Sequence, residues 1–290
     1  MAQIGFIGLG DMGGPIVRHL VTDGHDVTAF DIDEDALDAA ADAGATPATS
    51  NESLAASSDV VFLSLPDPAA VEAVVDEIRE ELEAGSVVVD LTTSLPSVTN
   101  AVAADLEPRS VEVLGAPVSG GKRGAQEATL SVMVGGDEAV YEACEPLFAA
   151  FAPDRFHVGD APGDGHAAKL LNNFLSYNSL LAASEAVILG ENAGLDREQL
   201  LDVFSASTGR NSATEDKLPN QVLTGDYDTG FPLSLTEKDV RLFTEFAEER
   251  GTPVLLGYVT RLLVGYARST EGDDADMTAV YDFLERVMQR

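Results

Sequence analysis

Hydrophobic positions along this chain follow two regimes. In the first half, short apolar runs alternate with stretches of helical spacing: Gln3 to Ile7, Asp26 to Asp31, Val60 to Leu65 and Val87 to Leu91 resemble strands buried in a parallel sheet. Ile16, Val17, Leu20 and Val21 mark the inner face of the first intervening helix, and an amphipathic helix is predicted over roughly Ala69 to Leu82. Val111 to Ala116, Leu130 to Val134 and Arg155 to Val158 extend the sheet. Such alternation predicts an α/β domain with a doubly wound parallel sheet, in which ligands lie beyond the carboxyl ends of the strands.

Beyond Gly194 the strand signal stops. Arg197 to Phe204, Lys238 to Glu249, Val254 to Ala267 and Met277 to Met288 carry helical periodicity alone, which predicts a C-terminal all-α domain. Between the regimes, Gly163 to Gly194 reads as one helix, free of proline and ended by glycines. At 1.5 Å per residue it spans roughly 45 Å, more than a small domain usually needs, so it is expected to pass from one domain into the other. The expected domains are 1–162 and 163–290, the second starting with this helix. Most of the helix is apolar on every side, as for a helix buried all round. Its first turns differ: His166, Lys169, Asn172, Asn173 and Ser176 recur at three- and four-residue spacings and form one polar stripe.

Composition sharpens the meaning of that stripe. Among 290 residues, 50 Asp and Glu face 17 Lys and Arg, for a formal charge of −33, yet 45% of the chain is hydrophobic, which excludes a disordered polyanion. The profile suits a folded protein of a concentrated-salt cytoplasm and a halophilic source, and it excludes nucleic acid and anionic membranes as partners. Only four residues are lysine, Lys122, Lys169, Lys217 and Lys238, so a lysine on an apolar helix carries information that an Asp or Glu does not. Cys144 stands alone and the four histidines show no ligand spacing, so no metal site is expected. Met1 to Leu20 does not have the form of a signal peptide, and no run of eighteen apolar residues occurs; a cytoplasmic location is expected.

Candidate chemistry sits at the strand ends. The run Gly8-Leu9-Gly10-Asp11-Met12-Gly13 follows a strand and opens a helix, the context a dinucleotide fingerprint requires. Its glycines allow a tight turn and let backbone amides approach a pyrophosphate at the helix N-terminus. Asp31 ends the next strand, where a carboxylate accepts the ribose hydroxyls of NAD, and no Arg or Lys occurs between Asp31 and Glu52 to meet the extra phosphate of NADP. NAD is therefore the expected cofactor and NADP the lesser one. Leu65-Pro66 and Thr92-Thr93-Ser94 lie at two further strand ends, where plain turn chemistry is an equal explanation. Ser119-Gly120-Gly121 offers amides and a hydroxyl to a carboxylate. Lys122 and Arg123 follow it, either to meet a second anionic group on a substrate or to pair with nearby acids.

Four blocks, in order, carry a resemblance to the β-hydroxyacid dehydrogenases, the group that includes 3-hydroxyisobutyrate dehydrogenase and tartronate semialdehyde reductase. Gly5 to Gly13 resembles the cofactor loop, Ala116 to Gly121 the substrate loop, Gly165 to Asn173 the catalytic helix with its G-x-x-x-K-x-x-x-N pattern, and Lys238-Asp239 the late lysine-aspartate pair. The resemblance implies an N-terminal Rossmann domain joined by the long helix to an all-α domain, a cleft active site, and a homodimer or homotetramer. It implies Lys169 as acid/base, oriented by Asn173, with Lys238 as a second cation that disfavours the charged form of Lys169. Ser119, Gly120 and Gly121 would hold the carboxylate of a small hydroxy acid. Thr93 and Lys238 would flank nicotinamide and substrate, and Leu65 and Pro66 would line the cofactor beside Gly8, Leu9, Gly10, Asp11, Met12, Gly13 and Asp31. The implied activity is NAD-dependent oxidation of a 3-hydroxy acid to its semialdehyde. Reduction of tartronate semialdehyde or another small semialdehyde is the alternative, and a non-catalytic nucleotide sensor is the alternative from another class.

Overall fold

The computed structural model describes residues 2–288. Two compact units divide the chain, Met1–Lys169 and Leu170–Arg290. The first unit runs β1 (Ile4–Ile7), α1 (Gly13–Thr22), β2 (Val27–Phe30), α2 (Glu34–Asp42), β3 (Thr46–Pro47), α3 (Asn51–Ala55), β4 (Val60–Leu63), α4 (Pro68–Ile78), β5 (Val87–Asp90), α5 (Pro96–Leu106), β6 (Glu112–Gly115), β7 (Val118–Ser119), α6 (Gly121–Glu127), β8 (Ser131–Gly135), α7 (Glu138–Ala149), β9 (Asp154–Gly159) and the start of α8 (Gly163–Asn192). Its sheet has the order β3-β2-β1-β4-β5-β6-β8-β7, with β9 also paired to β8. The winding reverses between β1 and β4, as expected of a doubly wound sheet.

Strand periodicity sorts the core onto two faces. Phe6 and Phe62 are register partners and stack at 5.7 Å between ring centroids, with Phe148 of α7 edge-on to Phe62 at 6.0 Å. Val61, Leu63 and Val88 point to the other face and pack with Val71, Val75 and Ile78 of α4. Each fully buried side chain of this kind contributes about 1.5–3 kcal/mol. Asp67 caps α4 by accepting from the Ala70 amide, and the helix ends at Ile78, short of the expected Leu82.

One edge of the sheet departs from the all-parallel expectation. β8 runs antiparallel to β6 and β7, and only its pairing with β9 is parallel. The connection from Ser119 to Ser131 carries a seven-residue helix, too little chain to return across the sheet for another parallel crossing.

The second unit contains the rest of α8, then α9 (Arg197–Ala206), a π-helix (Ala213–Val222), α10 (Leu233–Glu249), α11 (Leu255–Glu271) and α12 (Val280–Met288). All described regular elements here are helical, as the periodicity predicts. α10 begins five residues before Lys238, which therefore sits within the helix and not at its entry. The π-helix has no counterpart in the sequence reading. It contains Pro219, which cannot donate to an α-helical ladder, and the Leu223 amide closes on the Leu218 carbonyl five residues back.

α8 runs 30 residues, as its composition predicts. It ends in a Schellman arrangement: the Gly194 amide donates to Glu191, the Leu195 amide to Gly190, and Gly194 takes φ +85°. The expectation of burial on every side is not met. Leu171, Leu175 and Leu189 are 50%, 63% and 65% exposed, because apolar side chains fill the outward face as well as the inward one. The start of the helix is seated on the sheet by glycines. A Cβ on Gly165 would strike the carbonyls of Gly115 and Met133, and one on Gly135 would strike the carbonyl of Ala161. Among the described residues no helix is long and apolar enough to cross a membrane.

Two measurements test this packing. Gly165→Ala should lower stability by about 1–3 kcal/mol in chemical denaturation, since backbone must move to admit the methyl; an unchanged midpoint would remove the glycine seat. Burial pushes the Cys144 thiol up to about 11. Ellman's reagent near pH 8 should leave the native protein unlabelled and should release one equivalent once the chain is unfolded. Fast labelling of the native protein would contradict that burial.

Candidate active site

The three fingerprint glycines of the first unit are needed for three different reasons. Gly8 has φ +95°, and a Cβ there would also meet the Ser64 carbonyl. Gly13 lies so close to the Gly8 carbonyl that no side chain fits. Gly10 has no heavy atom within 4 Å of a Cβ position, which leaves its backbone open to approach by a ligand. Met12 caps α1 without a side-chain hydrogen bond, so no side chain competes there with an incoming phosphate. These features fit a bound dinucleotide.

Asp31, just past β2, is anchored more tightly than the sequence suggests. Its Oδ2 accepts from the Leu9 amide at 2.5 Å and its Oδ1 from the Asp33 amide at 2.8 Å. Each oxygen keeps lone-pair capacity for a further donor. A groove of about 470 Å³ adjoins the loop, lined by Leu9, Gly10, Asp11, Arg18, Asp33 and Lys122 among others. Cations therefore reach this groove from α1 and α6, outside the cation-free stretch between Asp31 and Glu52. Lys122 Nζ lies 2.7 Å from Asp11 Oδ1, and Arg123 Nε lies 2.9 Å from Glu127 Oε1. Of the two readings of these cations, pairing with nearby acids is the one the geometry carries.

At the ends of β4 and β5 the expected loops are joined. The Leu65 amide donates to Thr92 Oγ1 at 3.0 Å, and the Thr92 amide donates to Asp90 Oδ1 at 2.9 Å. Thr92 is thus turned inward, while Thr93 is half-buried beside it. Asp90 Oδ2 faces Nε2 of the fully buried His166 at 3.4 Å, without the alignment of a hydrogen bond. His166 therefore belongs to the interior of the unit and not to an open polar stripe. In the substrate loop, Ser119 closes β7 and Gly120 and Gly121 follow with φ +135° and +64°, backbone that side chains rarely adopt.

Lys169 lies on α8 one turn after His166 and is only 7% exposed, unlike an ordinary surface lysine. In the second unit, Asn173 Nδ2 donates to Asp239 Oδ2 at 2.8 Å, and the Tyr177 hydroxyl donates to the same oxygen at 2.9 Å. Lys238 Nζ is 3.6 Å from Asp239 Oδ1. Burial, followed by the adjacent Asp239, raises the Tyr177 hydroxyl well above its ordinary range, so it remains a donor. Phe174 and Phe243 stack with centroids 4.3 Å apart and planes 1° from parallel, holding α8 against α10 beside this cluster. The late lysine-aspartate pair thus divides its labour: Asp239 turns inward to hold Asn173, and the Lys238 side chain keeps 17% of its surface exposed.

Comparison with known proteins agrees with this geometry. Residues 3–159 match the NAD binding domain of 6-phosphogluconate dehydrogenase, and residues 163–284 match the NAD-binding model of NADP-dependent 3-hydroxyisobutyrate dehydrogenase. The chain is 35% identical to 2-(hydroxymethyl)glutarate dehydrogenase of Eubacterium barkeri, over 98% of this chain and 95% of that one. The chain belongs to the β-hydroxyacid dehydrogenase family. It is also 33% identical to the mitochondrial 3-hydroxyisobutyrate dehydrogenase of Drosophila melanogaster, over 98% of this chain and 90% of that one. The solved structure of Mycobacterium tuberculosis 3-hydroxyisobutyrate dehydrogenase with L-serine superposes with a TM-score of 0.93 at 32% identity, covering 98% of this chain and 99% of that one. Membership makes this chain an oxidoreductase of CH–OH groups that uses a nicotinamide cofactor, and leaves the nucleotide-sensor reading without support.

Sequence reasoning passed over Asp90, Asp239, Tyr177 and Lys217 as individuals. In a chain with 50 acids, a single Asp gives no signal until its burial is known. Asp239→Ala should leave the Asn173 amide and Tyr177 hydroxyl without their acceptor and cost about 1–3 kcal/mol. Asp239→Asn keeps an acceptor oxygen and should cost less; equal denaturation midpoints for both variants and the parent protein would contradict the role given to Asp239.

Proposed function

We propose that this protein oxidises the primary hydroxyl of a short 3-hydroxy acid, of the 3-hydroxyisobutyrate type, to its semialdehyde, with NAD favoured over NADP. The observation that carries the reading is a buried lysine, in a chain with four, placed four residues before an asparagine whose amide is pinned by a buried carboxylate. The relatives named above act on substrates of this class, and the reverse reaction makes the protein a semialdehyde reductase.

When bound beside the fingerprint loop, a nicotinamide cofactor would supply the hydride acceptor for the carbinol carbon. Lys169, as the neutral amine, takes the hydroxyl proton; the O–H bond gives its electron pair to the forming carbonyl as the C–H pair departs. A free lysine has a pKa of ~10.4 and is a poor base near neutrality, and burial in general disfavours the ammonium form. Asn173 orients the hydroxyl. Ser119 and the amides of Gly120 and Gly121 hold the carboxylate, and the left-handed backbone at both glycines supports that role. Thr93 and Lys238 are assigned to the flanks of nicotinamide and substrate, and Leu65 and Pro66 to the cofactor. The NAD preference rests on the carboxylates of Asp31 and Asp33 beside the fingerprint loop, which repel a 2′-phosphate.

A panel of 3-hydroxy acids should show absorbance growth at 340 nm with NAD, and a smaller kcat/KM with NADP. Lys169→Ala should lower kcat by about 10²–10⁴-fold while NADH binding, followed by fluorescence, persists. Unimpaired turnover by that variant would overturn the assignment of the base.

A further inference from the structure

The buried pair of Asp90 and His166 takes no part in the reaction as described. His166 is fully buried on the first turn of α8, and among the described residues neither of its ring nitrogens has a hydrogen-bond partner. Asp90, 2% exposed at the end of β5, leaves its Oδ2 without a hydrogen-bond partner as well, 3.4 Å from His166 Nε2. Burying two ionisable side chains that are not fully hydrogen-bonded costs stability, and apolar side chains of similar size would pack there at lower cost. Packing alone therefore does not account for the pair.

The fold makes room for the imidazole. Asp90 and Gly115 are register partners on β5 and β6, and a Cβ on Gly115 would lie 2.8 Å from Cδ2 and Nε2 of His166. The ring thus fills the space that a side chain at Gly115 would take. Asp90 faces two ways. Its Oδ1 accepts from the Thr92 amide at 2.9 Å, and Thr92 Oγ1 accepts from the Leu65 amide at 3.0 Å, so this oxygen holds both loops that carry cofactor residues. Its Oδ2 faces α8. Lys169 follows His166 by three residues, a rise of ~4.5 Å on the same side of the helix. A continuous path within the first unit therefore runs from Leu65 through Thr92, Asp90 and His166 to Lys169, and its one open link is the 3.4 Å contact.

We propose that His166 is a positioning residue that couples the cofactor loops to the catalytic helix. Its Nε2–H closes on Asp90 Oδ2 as the loops at Leu65 and Thr92 tighten around the dinucleotide, and the closed link sets the final placement of the Lys169 amine. A carboxylate only accepts, so the working tautomer of His166 carries its proton on Nε2. The glycine seat leaves this link a small adjustment to make, and a misplacement of ~1 Å is enough to cost ~10²-fold in rate. The inference rests on the roles given to Lys169 and to the two loops under the proposed function.

Hydrogen exchange read by mass spectrometry tests the coupling without turnover, on the full chain with and without NADH. In the parent protein NADH should slow exchange in segments 64–66 and 91–95, and also in the first turns of α8, 163–172, where no residue is assigned to the cofactor. His166→Leu should keep the protection of the two loops and lose that of 163–172. His166→Gln retains a donor and should restore it. Asp90→Asn keeps an acceptor for the Thr92 amide but turns an NH2 group toward His166; it should weaken the protection of α8 and carries the test if His166→Leu does not fold. Protection of 163–172 that is absent in the parent, or equal in parent and variants, overturns the proposal. In turnover, His166→Leu should lower kcat about 10–10²-fold and change the KM for the hydroxy acid less than about threefold. Val75→Ala, a core truncation on the other face of the sheet, should keep the parent kcat, so that lost stability by itself does not imitate the effect. An unchanged kcat in His166→Leu also overturns the proposal. A parent protein that turns over none of the 3-hydroxy acids removes the reaction assignment instead, and the exchange pattern still decides the coupling.

Discussion

The seat of α8 on the sheet of the first unit is the constraint on which the rest depends. Gly165 lies against the carbonyls of Gly115 and Met133, and Gly135 against that of Ala161, so backbone meets backbone with no side chain between. Close-packed contacts of this kind admit little adjustment of height or rotation. The faces that His166 and Lys169 present are therefore set at the helix's first turn. His166 is driven into the interior against Asp90, and Lys169 follows one turn on, still buried.

Two buried carboxylates, one in each unit, then convert position into orientation. Asp90 receives the Thr92 amide while Thr92 receives the Leu65 amide, so the loops after β4 and β5 are one hydrogen-bonded structure. Asp239 gathers Asn173 and Tyr177 on one oxygen. Buried charges are costly unless so engaged, which is why these two acids carry meaning while the acids on the surface serve as a hydrated coat. Lys217 is the cationic counterpart: a half-buried charge held by hydroxyls.

Much of this was legible in the sequence because local physics decides it. Short continuous apolar runs, the G-x-G-x-x-G turn and a long proline-free helix depend on neighbours a few residues apart. The departures all depend on distant partners or on the length of a connection. The sense of β8 follows from the short chain between Ser119 and Ser131, the π-helix from Pro219 together with a lysine that reaches across to α8, and the exposed Leu171, Leu175 and Leu189 from which side of α8 is covered. Arg18 and Lys122 enter the groove at the fingerprint loop from helices separated by some hundred residues of sequence.

The sequence by itself determined the two regimes of secondary structure, the glycine loop, the lysine and asparagine of α8 and, through four ordered motifs, the family. Each is written in residues close along the chain, where spacing alone sets which side chains share a face. Only the tertiary structure decided which of the many acids are buried, that Asp239 holds Asn173, that Lys122 is taken by Asp11, and that Lys217 meets two hydroxyls. Those outcomes turn on desolvation and on contacts between residues tens of positions apart, quantities that do not exist until the chain has folded.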